Sequence, residues 1–456
     1  MNKIHNNFEL LRTKINQHFN LEYYIIFNLL IAILSWKLQS YIGMYILLSL
    51  AIFSIAITND LVYSIPCLLF LLFSNNIGFS ASKFPTAVFI LLVLIFISLL
   101  IYFIKNKCNI RKAKSSIGLI GLGLISLIPL VWFIPNNDGF EIFTFIYLSD
   151  LCYLILYLLF ASGIKKDSII VISKTFSYLS VLISLELILK ALDIASEVDN
   201  FFHHAFYMGW GYCNEAGIMI CFFVPFTFYL ILFENKLLKK ILYNLFILLS
   251  IVGLILTTSR GSYLFGFIEI LVCYIVLFIK SPTKKKNLKY IIPLVILSII
   301  FIICCRSYLF SIFKKIYDAV FILGFDSNGR FNLWKEAYNI YTNKIYYIFF
   351  GAGYCAIIRE TLTSTGIGMG QVVFHSTIFE TIIIGGIIGL GFLLYHLFEK
   401  YRACLKKNDI FYIFVIISYL FVDAYGLIDN TYHMYYYMIP LVILMACIDS
   451  KAYNIE

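Results

Sequence analysis

Three basic residues of this chain stand where an apolar run begins or where a polar stretch starts to fold. Arg260 lies in the segment TTSRGSYLFG, between two long apolar runs. Arg330 follows the strong turn signal Asn328-Gly329, and His375 directly precedes another apolar run. Two guanidinium groups can hold a phosphate-type anion through paired hydrogen bonds, and an imidazole transfers protons near neutral pH. Together the three residue types suit chemistry on an anionic substrate.

Arg330 is predicted to lie in the first turn of a helix within residues 324–341, GFDSNGRFNLWKEAYNIY. The apolar side chains recur there at helical spacing: Leu333, Trp334, Ala337, Tyr338 and Tyr341. An Arg in the first turn opposes the helix dipole, which favours negative groups at that end. A bound anion would remove that cost, with help from the backbone N–H groups. A solvated Arg on a loop helix is the alternative.

The other two residues have structural alternatives as well. Arg260 could be an anchor whose charged group reaches the membrane surface. Outer membrane edges usually use Trp or Tyr as anchors, however, and the chain re-enters the membrane tightly at Ser259-Arg260-Gly261, which favours a functional role. A lone His at an interface is more often structural than catalytic. Glu380 lies about one turn beyond His375 and is predicted to support it.

The elements that must position these residues are membrane spans. The chain is 61% hydrophobic and only 13% charged, and its mean hydropathy is +0.90. Apolar runs of about 18 residues recur along its length, which predicts an all-α polytopic membrane protein. The net charge of +10 comes mainly from Lys and Arg in short loops, so it indicates orientation in the membrane. Nucleic acid is not an expected partner.

We predict about twelve to fourteen transmembrane helices. The candidate spans are 21–36, 41–58, 61–73, 87–104, 117–134, 142–162, 168–187, 215–233, 241–257, 261–279, 290–305, 376–397, 409–426 and 433–449. With the N-terminus inside, 23 Lys and Arg fall on the cytoplasmic side and four in the short outer loops. This asymmetry predicts cytoplasmic termini and an outward-facing polar stretch at 306–375.

The predicted organisation follows from these spans. A loop as long as 306–375 between apolar segments is usually functional, so the site is expected there. The segments are a cytoplasmic arm at 1–20, a transmembrane bundle at 21–305, the large extracytoplasmic loop with amphipathic helices at 306–375, C-terminal transmembrane helices at 376–449 and a cytoplasmic tail at 450–456.

The order of these motifs resembles the O-antigen ligase and Wzy-type polysaccharide polymerase superfamily. The series is an Arg at a span start, Gly-Arg-x-x-x-Trp in one large outer loop, FGAGY at 350–354, and a His before a Gly-rich helix. GWGYCNEAGIM at 209–219 is similar to the family's segment that opens an earlier span. The resemblance covers roughly residues 205–400. Ser376 and the Cys213-Asn214 pair depart from the family, which commonly has Asn after the His and Pro before the earlier Asn.

The resemblance implies a GT-C-like membrane glycosyltransferase. Its donor would be a glycan on undecaprenyl diphosphate, and its acceptor a glycan or a lipid-linked glycan. The implied catalytic residues are Arg260, Arg330 and His375, and the implied supporting substrate-binding residues are Asn214, Glu215, Trp334, Arg359 and Glu380. No cofactor and no metal are expected, and transfer would invert the anomeric carbon.

The specific prediction is a polymerase of lipid-linked repeat units for O-antigen, capsule or exopolysaccharide. It would work at the outer face of a bacterial cytoplasmic membrane, beside a flippase and a chain-length regulator. Abundant Ile, Asn, Lys, Tyr and Phe suggest an AT-rich genome, which favours hosts without lipopolysaccharide. One alternative is a ligase that transfers the glycan to lipid A core, a protein or another acceptor. The alternative from a different class is a flippase for lipid-linked oligosaccharides.

Other charged residues add two further expectations. Glu197 and Asp199 form an acidic pair in an outer loop, and a metal site there is the minor alternative to metal-free chemistry. Charges inside spans are costly and usually purposeful. Those predicted to lie within spans are Asp150, Lys174, Glu186, Glu269, Glu380 and Asp423.

Overall fold

The protein is built from helices. The computed structural model describes residues 20–58, 60–76, 86–106, 116–131, 140–165, 168–194, 206–280, 330–353 and 374–453, together with 108, 310, 314, 317 and 318. Across these residues the structure has no β-strand, and its one β-type contact is an isolated bridge between Tyr207 and Tyr212. The predicted all-α class is confirmed.

The α-helices of the described residues are numbered in chain order. They are α1 (Leu21–Leu38), α2 (Tyr41–Thr58), α3 (Ile65–Phe73), α4 (Thr86–Asn106), α5 (Ser116–Ile125), α6 (Phe140–Gly163), α7 (Ile169–Ile194), α8 (Cys213–Phe233), α9 (Leu237–Leu256), α10 (Phe267–Lys280), α11 (Arg330–Thr342), α12 (Ile345–Phe350), α13 (Thr377–Leu405), α14 (Ile410–Tyr425) and α15 (Tyr435–Tyr453). A 3-10 turn, Leu61–Ser64, precedes α3, and a π-helical turn, Ser262–Gly266, precedes α10.

These helices coincide with the predicted spans. The predicted span 290–305 lies outside the described residues, and 117–134 is described only to residue 131, with its α-helix ending at Ile125. The other predicted spans fall on described helices, with bounds that differ by a few residues. Among the described residues, eight helices are long and apolar enough to cross a membrane, and five shorter apolar helices accompany them. The chain is therefore a multi-pass membrane protein.

Two compact units divide the chain. The first takes in the described residues of Met1–Arg111, Leu158–Ser259 and Ile443–Glu456. Within it α8 packs against α7 and α9, and 94% of the most apolar 18-residue stretch of α8 is buried inside the protein. Because other helices of the protein cover almost all of its surface, α8 is the central helix of this unit.

The second unit takes in the described residues of Lys112–Tyr157 and Arg260–Val442. Its central helix is α13, which packs against α5, α11, α12 and α14. The first turns of α13 carry Glu380 and follow His375, so the packing of α13 determines where these predicted site residues lie.

Two glycines explain how the segment after α12 meets α13. Gly386 breaks the regular backbone of α13 with a φ of 64°, and Gly351 has a φ of 80°. A Cβ on Gly351 would lie 2.4–2.5 Å from the backbone of Ile384 and Gly385. The carbonyl of Ile383 then accepts the N–H groups of residues 352 and 353, at 2.7 and 3.0 Å. Residues 351–353 of the FGAGY motif thus pack directly against the backbone of the Gly-rich part of α13.

Candidate functional site

His375 has a left-handed backbone conformation two residues before α13 begins. Its φ of 50° lies in a region that costs a residue with a side chain about 1–2 kcal/mol. Its Nδ1 atom lies 3.0 Å from Oδ1 of Asp429, and the His375 side chain is 36% exposed whereas that of Asp429 is buried. A carboxylate only accepts hydrogen bonds, so Asp429 favours the proton on Nδ1 and a basic Nε2. This is the tautomer that a general base needs.

The peptide groups of Phe374 hold the backbone before His375 in place. The Phe374 N–H donates to Oε2 of Glu380 at 3.2 Å, and the Phe374 carbonyl accepts from Nε1 of Trp334 at 2.9 Å. A strained conformation persists only where its surroundings over-determine it. Glu380 and Trp334 supply that constraint on this side of His375.

A second constraint comes from residues 429–433, between α14 and α15, which we call the strap. Three strap residues contact the residue 54 positions earlier in the chain. The pairs are Asp429 with His375, Asn430 with Ser376, and Thr431 with Thr377. The Ser376 N–H donates to Oδ1 of Asn430 at 2.8 Å, and the two threonine hydroxyls are 3.0 Å apart. The strap therefore follows the start of α13 in register.

The last two strap residues contact α13 further along. The Tyr432 hydroxyl accepts from Nζ of Lys400 at 2.9 Å. Lys400 is buried and also pairs with the Asp423 carboxylate, at 2.8 and 2.9 Å. His433 lies with Nε2 3.1 Å from the Thr381 hydroxyl. Every residue of the strap thus has a polar contact with the segment that carries His375 or with α13.

Arg330 reaches the same carboxylate as His375. It is the first residue of α11, as predicted, and its NH2 atom lies 3.8 Å from Oδ2 of Asp429. Asp429 therefore faces the imidazole through one oxygen and the guanidinium through the other. A separation of 3.8 Å is loose for an ion pair, and a guanidinium has five N–H donors. Arg330 can contact Asp429 and still bind a second anion.

Arg260 lies close enough to Arg330 for the two charges to interact. Burial lowers the pKa of the Arg260 guanidinium, and the positive charge of Arg330 lowers it further. Arginine keeps its charge in proteins, so the two cations repel each other. An anion bound by both would offset that repulsion. Direct contacts through Asp429 and Phe374 thus bring four predicted site residues together in the second unit: Arg330, Trp334, His375 and Glu380.

Trp334 ties α11 to the segment before α13. It lies one turn after Arg330, its ring stacks on Phe379 with centroids 5.3 Å apart and planes 19° apart, and its N–H is bonded to Phe374. The observed contacts are structural ones that connect Arg330 with His375. A direct contact of Trp334 with substrate remains a prediction.

The predicted apolar stripe of α11 is correct in part. Ala337 is buried, and Leu333 and Tyr341 pack against the same cluster. Ile340, which the prediction omitted, is buried at 4% exposure, whereas Tyr338 is 61% exposed. Each helical residue turns about 100°, which places Tyr338 at the edge of the face shared by residues 333, 337, 340 and 341, and its contact with the membrane or the bundle stays a prediction.

Asn214 and Glu215 lie in the first unit, at the start of α8. The Tyr212 N–H donates to Oε2 of Glu215 at 2.6 Å, which is a capping contact. Just before it, a short hairpin is closed by bonds from Met208 N–H to Gly211 carbonyl at 2.7 Å and from Cys213 N–H to Phe206 carbonyl at 3.0 Å. The predicted substrate contacts of Asn214 and Glu215 remain predictions.

The hairpin is anchored by two indole groups. Trp210 donates to the fully buried Glu186 at 2.9 Å, and Trp36 donates to the Met208 carbonyl at 2.8 Å. Glu186 was one of the charges expected within spans, and Trp210 is its partner. Gly209 has a φ of 94°, and a Cβ there would lie 2.2–2.6 Å from the backbone of residues 75 and 76.

Several predicted features lie outside the described residues. They are Arg359, the turn at Asn328 and Gly329, and the acidic pair Glu197 and Asp199. In the part of the chain that the structure describes, no group of three or more His, Cys, Asp or Glu side chains is arranged to hold a metal ion.

Asp429 and Asn430 are the site residues that sequence reasoning missed. They lie in the short polar segment DNTYH between two apolar runs, which looks like an ordinary solvated loop. One signal was present: the predicted topology puts this loop on the same side of the membrane as the 306–375 loop.

Comparison with known families agrees with the resemblance. Residues 245–394 match the family model described as O-antigen ligase. The matched stretch contains Arg260, Arg330, Trp334, His375 and Glu380. The resemblance predicted from the motifs is confirmed over these residues, and the similarity to this family suggests a glycosyltransferase-like enzyme. A comparison with curated proteins finds no match.

Proposed function

We propose that this chain polymerises polysaccharide repeat units carried on undecaprenyl diphosphate, at the outer face of a bacterial cytoplasmic membrane. One observation carries the proposal: the buried Asp429 carboxylate faces His375 through one oxygen and Arg330 through the other. A group suited to proton transfer and a group suited to anion binding are thereby held at one place. This pairing fits attack by a hydroxyl group on a sugar that leaves an anionic diphosphate.

Arg330 and Arg260 would bind the diphosphate of the donor. Two guanidinium groups can form paired hydrogen bonds with phosphate oxygens, and they stabilise the negative charge that grows as the bond to the sugar breaks. Relief of the repulsion between these two cations would add to donor binding. Arg359 is a proposed helper for the same anion.

His375 would accept the proton of the acceptor hydroxyl. The acceptor oxygen forms a bond to the anomeric carbon, and the bond from that carbon to the diphosphate oxygen breaks on the opposite face, which inverts the centre. The proton moves to Nε2 while Asp429 stabilises the imidazolium through Nδ1. His375 then releases the proton to solvent, and undecaprenyl diphosphate leaves. The reaction as written needs no metal and no cofactor.

The choice of polymerase over ligase rests on composition. A polymerase uses a second lipid-linked glycan as acceptor, whereas a ligase uses lipid A core, a protein or another acceptor. The AT-rich residue usage favours a host without lipopolysaccharide and hence a polymerase. A flippase and a chain-length regulator are the proposed partners.

The proposal is tested with the purified protein in nanodiscs. The protein is given the undecaprenyl-diphosphate repeat unit of its host, with no nucleotide and with a chelator present. We expect a ladder of longer lipid-linked glycans that is lost in Arg330→Ala and His375→Ala. Lys335→Ala is the matched control, because Lys335 is an exposed cation on the same helix as Arg330. It should give the wild-type ladder.

Three other outcomes would change the conclusion. Transfer that occurs only after a separate acceptor is added would identify a ligase. Folded protein without transfer under either condition would overturn the enzyme proposal, and movement of the lipid-linked glycan across vesicles would then support the flippase. A ladder that persists in both variants would reject these residues as the site.

A further inference from the structure

A second buried imidazole, His433, fixes the far end of the strap. Its Nε2 lies 3.1 Å from the Thr381 hydroxyl, and its Nδ1 lies 3.4 Å from Oδ2 of Asp150. The His433 and Asp150 side chains are only 4% and 5% exposed. His433 also has a left-handed backbone, with a φ of 68°. The strap therefore has a carboxylate–imidazole contact near each end, Asp429 with His375 and Asp150 with His433.

The order Asp150, His433, Thr381 is that of a nucleophilic triad, but the hydrogen bonds exclude that chemistry. The Thr381 hydroxyl donates to the carbonyl of Thr377 at 2.7 Å, and Thr381 is 1% exposed. Its oxygen can therefore only accept from Nε2 of His433, which must carry a hydrogen. A hydroxyl used in this way and shielded from solvent cannot attack a substrate.

The chemistry of these contacts points to a holding function. With Nε2 donating to Thr381 and Nδ1 facing a carboxylate, His433 links α13 to α6, where Asp150 lies. Since Nε2 already carries a hydrogen, Nδ1 can pair with the Asp150 carboxylate only in the imidazolium form, and buried charges of this kind are costly unless they are paired. Asp150 and Thr381 thus both hold His433, the strap residue four positions after Asp429.

We infer that Asp150 and His433 are positioning residues for the proposed reaction. They hold the strap so that Asp429 meets both Nδ1 of His375 and the Arg330 guanidinium. A displacement of about 1 Å at a catalytic group can cost 100-fold in rate. Loss of the far-end contact would let the strap move and would weaken the support of His375 without touching the substrate. This inference rests on the proposed function.

Steady-state kinetics on His433→Gln and Asp150→Asn test the inference. Gln can still donate to Thr381 but cannot reach Asp150, and Asn keeps the size of the acid but removes its charge. We expect kcat to fall about 10- to 100-fold while KM for the lipid-linked donor changes by less than about twofold. Glu399→Gln is the matched control, because Glu399 is a buried acid of α13 that pairs with Arg402 outside the strap. It should leave kcat unchanged.

A double-mutant cycle separates positioning from general stability. In a His375→Asn background, His433→Gln should lower the residual rate by less than about threefold, because the imidazole that Asp429 supports is already absent and only the looser contact with Arg330 remains. Equal losses in both backgrounds, or a wild-type kcat in His433→Gln and Asp150→Asn, would overturn the inference. Wild-type protein without transfer activity would instead reject the proposed function, so the two failures are distinguishable.

Discussion

A residue with positive φ lies shortly before two helices of this molecule, but the residue types differ. In the first unit Gly209 has a φ of 94° before α8, and in the second unit His375 has a φ of 50° before α13. Backbone atoms of residues 75 and 76 leave no space for a side chain at Gly209. His375 is one of the few described non-glycine residues with positive φ, and its side chain faces Asp429. Glycine at such a position indicates packing, whereas strain kept for a side chain indicates function.

The segment before each of these helices is also anchored by an indole N–H. Trp210 donates to the buried carboxyl of Glu186, within the body of the first unit. Trp334 donates to the carbonyl of Phe374, the residue before His375. The same kind of bond therefore stabilises a buried group in one unit and, in the other, holds the backbone beside His375, the proposed general base.

The largest expected effect follows from removing the His375 side chain. His375→Ala and His375→Gly should both lower glycosyl transfer by about 100- to 10,000-fold, the usual contribution of a general base. Since glycine adopts positive φ without cost, His375→Gly should be more stable than His375→Ala by about 1 kcal/mol. Ladder assays and thermal unfolding of both variants check this. Equal stability of the two would argue against backbone strain at this position.

The corresponding change before α8 should act on folding. Gly209→Ala would push a Cβ into the backbone of residues 75 and 76, and overpacking of this kind costs about 1–3 kcal/mol. The positive φ adds about 1 kcal/mol more. We expect a clear fall in the unfolding midpoint, with normal specific activity in the protein that remains folded. Unchanged stability would show that the starts of α8 and α13 do not differ in packing.

Loss of the indole donor in the first unit should have a smaller effect on stability. Trp210→Phe leaves the buried Glu186 without this bond, and an unsatisfied buried group costs about 1–3 kcal/mol. The unfolding midpoint should fall while kcat stays within about twofold of wild type. A large fall in kcat at normal stability would show that the start of α8 takes part in the reaction. It would contradict the proposed difference between the starts of α8 and α13.

The smallest effect is expected for the matched change in the second unit. Trp334→Phe keeps most of the stacking on Phe379 but removes the bond to the Phe374 carbonyl. A typical hydrogen bond contributes about 1 kcal/mol, so we expect kcat to fall about fivefold to tenfold. Kinetics of Trp334→Phe beside Trp210→Phe would show whether the loss of Trp334 lowers kcat more than the loss of Trp210 does. Identical kinetics of the two variants would contradict the different roles proposed for Trp334 and Trp210.

Most of the fold could be predicted from the sequence because membrane spans leave a strong local signal. The apolar run at 41–58, for example, has the same bounds as α2. The start of α11 at Arg330 followed from the Asn-Gly turn signal and helical spacing. These features depend on neighbours in the chain, which periodicity and composition report well.

The missing part of the site depends on distant contacts. Asp429 and Asn430 have no periodic pattern, and their importance appears only when the strap lies beside His375 and Ser376, 54 residues earlier. Likewise, Asp150 could be recognised as a costly charge, but not as the partner of His433. A single sequence does not show which loop residues lie beside which residues at the start of a helix that is distant in the chain.

The 54-residue spacing also sets an order of events during protein synthesis. His375 leaves the ribosome well before Asp429, and at about 5–20 residues per second the interval is roughly 3–11 s. During that time α13 and α14 can enter the membrane, but the His375 imidazole lacks its carboxylate. A newly made chain would therefore gain the contact between Asp429 and His375 only after the strap has been translated, and under the proposed function a chain that ends before Asp429 would lack the support of its general base.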